Sequence, residues 1–135
     1  MYEAHGWIVI QESPVDADLG NLPRIVAEIR SSADLLSDLN PRLEVVSTNG
    51  LDTLVVTAMF NHRSDSRVAG LANLVLDVCR EAPGSYGLFH IWDDEDDEHA
   101  DGFQVVSIRR GGVELGVDEF LSPCVPMIED EGSGV

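Results

Sequence analysis

Six acids in a row, Asp93-Asp94-Glu95-Asp96-Asp97-Glu98, with His90 before them and His99 and Asp101 after, are the densest chemical cluster in this chain. Three chemistries could use such a block. Calcium takes carboxylate oxygens, zinc takes His together with carboxylates, and an exposed acidic surface attracts a cationic partner. Spacing separates them. An EF-hand loop alternates its acids and puts Gly sixth, whereas the sixth residue from Asp93 is Glu98. Zinc needs His or Cys at tighter geometry. Adjacent like charges repel and turn outward, so the block reads as a solvated loop or a partner-facing patch. Neither a metal nor another cofactor is expected. The alternative is a small metal-dependent hydrolase using the His90–Asp101 block, which calorimetric titration with divalent ions would test.

Other reactive residues are scattered. His5, His62, His90 and His99 each fall near a strand edge or a loop. Cys79 or Cys124 could be drawn into a triad with His62 and an acid, but no local signature supports a nucleophile and its base. Cys79 lies in a helical apolar stripe and is expected to be a buried thiol. Gly84-Ser85-Tyr86-Gly87 lacks the spacing of a nucleophile elbow and precedes a strand, where that elbow leads into a helix. It reads as a reversal from helix into strand. Asn61-His62-Arg63 reads as structural ahead of a recognition element: Arg63 could ion-pair with nearby acids, or the three could orient a loop. Trp7 and Trp92 lie in strand-like runs; core packing is the default and a surface anchor the alternative. No catalytic residue is assigned.

The charge balance points away from nucleic acid and anionic membrane. Twenty-five acids face eight basic residues, all Arg, for a formal net charge of -17 on 135 residues. Residues 1–67 hold ten acids and five Arg, and residues 68–135 hold fifteen acids and three Arg. Such a field favours a cationic partner. A hydrophobic content of 44% is too high for a disordered acidic tail. No run approaches the roughly 20 apolar residues of a membrane span, and no basic leader precedes the first apolar run. A cytoplasmic protein is the simplest reading.

The elements that must position these residues follow from periodicity. Residues 6–11 are apolar and β-branched, a strand expected to be central. Asp18 or Asn21 caps a helix whose stripe is Leu22, Ile25, Val26, Ile29, Ala33 and Leu36. Residues 42–47 and 52–60 flank Thr48-Asn49-Gly50, a hairpin signal. Ser64 or Asp65 caps a second helix to about Arg80, with Val68, Leu71, Ala72, Val75, Val78 and Cys79 inward. Strands follow at 85–92, 103–108 and 113–117, the last two joined by a tight turn at Arg110-Gly111-Gly112. The expected fold is α+β: a mainly antiparallel sheet of five or six strands with two helices on one face, in a split βαβ plan. Residues 1–128 make one domain and 129–135 a frayed tail. Exposed strand edges would permit a homodimer.

Several stretches together resemble the immunity protein 7 family of bacterial polymorphic toxin systems. They are His5 to Pro14, Asn61-His62-Arg63, Ala82 to Leu88, Phe103 to Gly111, and Phe120 to Pro126 followed by Glu129-Asp130. The resemblance runs from Tyr2 to Asp130. It implies an α+β antitoxin that binds a cognate toxin in the cytoplasm without catalysis. It transfers no contact residues. The residues' own chemistry nominates Trp92, Asp93, Asp94, Asp96, Asp97 and Glu98 for toxin binding, with a nuclease's basic cleft as a fitting target. A scaffolding protein with no toxin partner is the remaining reading.

Overall fold

Strand β1 (Tyr2–Ile10) is the axis of the molecule. It pairs antiparallel with β3 (Leu51–Phe60) on one side and with β4 (Tyr86–Asp93) on the other. The computed structural model describes residues 1–13, 20–37 and 40–123. The possible cap Asp18, Cys124, the Glu129-Asp130 pair and the expected 129–135 tail lie outside these residues. Outward of β3 lies β2 (Arg42–Thr48). Outward of β4 lie β5 (Gln104–Arg109) and then β6 (Gly112–Val117), giving the order β2-β3-β1-β4-β5-β6. Helix α1 (Leu22–Leu36) follows β1, and α2 (Ser66–Glu81) follows β3. The first four strands and two helices form the expected split βαβ arrangement, and the β5–β6 hairpin extends it along the β4 edge.

The helices bury one face of the sheet as far as β5, while β6 stays exposed. Ala4, Ile8 and Ile10 of β1 join Leu54, Val56, Ala58 and Phe60 of β3, with Phe89 and Ile108, in a single core. Helix α1 contributes Ile25, Val26, Ile29 and Ala33, and α2 contributes Leu71, Leu74, Val78 and Cys79. Leu74 takes a buried place that the sequence reading gave to Ala72, which is exposed. Burial pushes the Cys79 thiol pKa up, away from the thiolate a nucleophile needs.

Two local corrections have simple causes. Strand β1 begins at Tyr2 rather than residue 6, because Glu3 and His5 alternate with Tyr2, Ala4 and Gly6 across the pleat. That period-two pattern continues the strand where the apolar run stops. Asn21 occupies the N-cap of α1 but makes no side-chain cap bond. The buried Glu12 accepts the Asn21 backbone N–H at 2.7 Å. Asp65 caps α2 as expected, accepting from the Arg67 N–H at 2.9 Å.

Both hairpin turns use positive φ at two consecutive residues, Asn49-Gly50 and Arg110-Gly111. This matches the twist of two-residue hairpins. Three further glycines allow close backbone approach. A Cβ on Gly87 would lie 2.1 Å from the Trp7 carbonyl, one on Gly84 2.1 Å from the Ser13 backbone, and one on Gly6 2.3 Å from the Phe89 ring. Ser85, fully buried, accepts the Gln11 N–H at 3.1 Å. The Gly84–Gly87 stretch is therefore a seam between β4 and β1, beyond the simple reversal that the sequence suggests.

Candidate functional site

The acidic block starts at the last residue of β4 and runs through three linked turns. The N–H groups of Asp96, His99 and Gly102 donate in succession to the carbonyls of Asp93, Asp96 and His99, at 3.1, 3.1 and 3.2 Å. Two acids hold this shape with their side chains. Asp93 accepts the Glu95 N–H and Asp96 accepts the Glu98 N–H, each at 3.0 Å. Carboxylates commonly fix turns by bonding the backbone two residues on. Backbone donation from Glu98, with His99 beside it, holds the Asp96 pKa below its ordinary value.

The next layer is cationic. Asp93 is only 7% exposed, and its Oδ2 lies 3.5 Å from Nη1 of Arg63. The Met1 ammonium sits 2.7 Å from Asp94 Oδ1 and donates to the Asn61 carbonyl at 2.7 Å. Glu95 Oε1 lies 3.1 Å from His62 Nδ1 and accepts the Arg63 N–H at 3.3 Å. The His62 hydrogen bond is the main cause that lowers the Glu95 pKa. Thus Asn61-His62-Arg63, between β3 and α2, is the seat of the acidic loop. The sequence offers Arg63 pairing with acids, or the triplet orienting a loop, as alternatives; it does not show the contact of His62 with Glu95 or the part played by the N-terminus. The signal for His62 is faint: a lone polar triplet after an apolar strand.

The nominated residues divide accordingly. Asp93, Asp94 and Asp96 are engaged within the loop and its seat. Asp97 and Glu98 are exposed, and neither carboxylate has a hydrogen bond or ion pair among the described residues. Trp92 is half-buried and donates its indole N–H to the Ala100 carbonyl at 2.8 Å. It ties the loop to the sheet.

The carboxylates of Asp93, Asp94 and Glu95 converge within 4.8 Å, close enough to share a cation. Arg63 and the Met1 ammonium already supply positive charge to Asp93 and Asp94, and His62 lies within hydrogen-bond distance of Glu95. The arrangement is a protein-supplied ion-pair cluster. The Cys79–His62 pairing also fails on geometry. His62 precedes α2 and Cys79 lies near its far end, about 20 Å away at 1.5 Å per residue.

The opposite, helix-free face of the sheet is the other notable surface. Register places Glu44, Val55, Trp7, Leu88, Ser107 and Glu114 in one row across all six strands. Trp7 is 41% exposed, which corrects the core-packing default for this residue. Its ring meets Tyr86 edge-on at 6.2 Å. The outward phase of β1 accounts for the exposure. Trp7 alternates with Gly6 and Ile8, which face the helices. Trp92 shares this outer face, opposite Glu3.

Among the described residues, no helix is long and apolar enough to cross a membrane. No curated protein and no solved structure matches the chain. A family model described as immunity protein 7 does match, over residues 1–130, and the resemblance carried by the motifs from His5 to Asp130 holds. The chain therefore belongs to the immunity protein 7 family, a class of proteins that bind a cognate toxin protein.

Proposed function

We propose that this immunity protein neutralises a toxin whose contact surface is basic, by presenting the acidic loop after Trp92 to it in the cytoplasm. A nuclease fits this chemistry, since a cleft that holds phosphates must be cationic. The carrying observation is the state of Asp97 and Glu98. Both are exposed, and their carboxylates are unclaimed among the described residues, on a loop held by its own turns and by the Asn61–Arg63 seat. Fixed charge of this kind steers association more than it sets affinity. Occlusion of this kind needs no turnover.

The test uses the toxin domain encoded in the neighbouring reading frame, purified as an inactive variant. Asp97→Asn with Glu98→Gln leaves the loop's internal bonds in place. It is expected to slow association about tenfold at low salt, within the range of steering effects, and to flatten the salt dependence. Unchanged association rates at low salt would remove the acidic loop from the mechanism. Failure of the unaltered protein to bind that domain, or to rescue growth on co-expression, would remove the toxin itself.

A further inference from the structure

We infer that the helix-free face of the sheet, centred on Trp7, is the surface that anchors the toxin, with the acidic loop serving as its charged margin. This rests on the toxin-binding reading above and adds where the affinity resides. An antiparallel sheet covered on one side normally turns polar residues to water on the other. Here the middle of the outer face is apolar. Trp7, Val55 and Tyr86 are each at least 40% exposed, Leu88 lies beside Trp7, and no described element covers them. Exposed apolar patches of this kind mark interaction sites. Rigid aromatic side chains at their centre supply most of the binding energy at low entropic cost.

The patch has the layout of an interface. Its central row ends in a glutamate at each sheet edge, Glu44 on β2 and Glu114 on β6. Trp92 continues the same face toward the acidic loop. Arg42 and Arg109 also lie on this face, near its margins, where they would meet acidic groups of a partner. Strands spaced about 4.8 Å apart, rising about 3.3 Å per residue, give a face on the order of 600 Å². That approaches the roughly 800 Å² per partner of a standard interface.

Charge selects the occupant. A second copy would bring another formal charge of -17 onto this one, and like fields oppose association. A toxin surface with an apolar protrusion ringed by Lys and Arg satisfies both the apolar centre and the glutamate rim.

The chain holds two tryptophans, so 5-fluorotryptophan labelling gives two fluorine resonances, assigned with Trp7→Phe. Titration with the inactive neighbouring toxin domain is expected to shift or broaden the Trp7 signal at saturation. Trp7→Ala and, separately, Val55→Glu are expected to weaken binding at least thirtyfold, largely through faster dissociation and with little salt dependence. Val55→Glu sits on the exposed face and keeps the test valid if Trp7→Ala disturbs folding. Full-affinity binding by both variants, with an unmoved Trp7 signal, overturns this inference and leaves the toxin-binding reading intact. Absence of binding by the unaltered chain overturns both. A concentration-dependent Trp7 signal with a dimer mass by ultracentrifugation, in the absence of toxin, assigns the face to a second copy and overturns it as well.

Discussion

At the scale of single residues, the organising contacts are made by arginines that link elements distant in sequence. Arg67 is the fullest case. Its guanidinium binds both oxygens of Asp65 at 2.9 and 2.7 Å and donates to the Asn40 carbonyl at 2.7 Å. It also lies 4.7 Å above the Phe60 ring. Asn40 in turn bonds both backbone groups of Met59, prolonging the β2–β3 pairing beyond Arg42. The helix cap, the sheet edge and the core rim therefore meet at one side chain. The Arg67 side-chain bond, followed by its backbone donation, holds the Asp65 pKa down at about 2. A carboxylate lowered on folding favours the folded state above its unfolded value of about 3.9. That contribution disappears as pH falls toward 2. Asp65→Asn keeps an oxygen for the cap and removes the charge. The melting-temperature gap between wild type and variant should stay constant above pH 5 and close as pH drops from 4 to 2. A gap independent of pH over that window would show that the Arg67 pair does not stabilise the fold.

At the scale of elements, sequence periodicity revealed the fold because each element repeats its signal several times. The stripe of α1 recurs at Ile25, Val26, Ile29 and Ala33, and the Asn-Gly turn fixed one hairpin. Two features escaped because they are single events with no repeated local signal. Glu12 reaches across to the start of α1, and the glycines of the Gly84–Gly87 stretch meet β1 and the residues just after it, which are more than seventy positions away. Nothing local marks a glycine as a seam. Gly87 is the sharpest instance, lying opposite Ile8 with no room for a methyl group. The nearest atoms are β1 backbone, the Trp7 carbonyl oxygen and Ile8 Cα, which limits relaxation, so Gly87→Ala is expected to destabilise the chain by about 2–3 kcal/mol, the upper range for overpacking. Gly102→Ala has open space around its Cβ and is the matched control. Equal chemical-denaturation midpoints for the two variants would contradict the seam.

At the scale of the whole molecule, the two faces of the sheet divide the labour. On one, helices cover the sheet except along β6, where Val113, Leu115 and Val117 stay exposed, and the other presents the apolar centre inferred to anchor the toxin. The acidic excess was legible from composition, but its distribution was not. Asp93, a nominated contact, turned inward, while Trp7 turned outward, because both depend on strand phase and on a loop seat made from other parts of the chain. The same excess acts on stability. Eight arginines cannot neutralise twenty-five acids, and exposed ion pairs contribute only about 0–1 kcal/mol each. Net repulsion among the remaining carboxylates should therefore outweigh the attraction within the pairs. Screening shortens the reach of that repulsion from about 30 Å at 0.01 M salt to less than 10 Å above 0.1 M. Raising sodium chloride from 10 mM to 500 mM should therefore raise the melting temperature of the free protein. The rise should be about 3–5 °C for each kcal/mol of repulsion relieved. The same salt should slow association with a basic toxin, so that stability and encounter rate respond in opposite directions. Calorimetry in a salt series, run beside stopped-flow association, checks both signs. A melting temperature that fell with salt would mean that local pairs such as Asp65–Arg67 and Asp93–Arg63, rather than the global field, dominate the electrostatics of the fold.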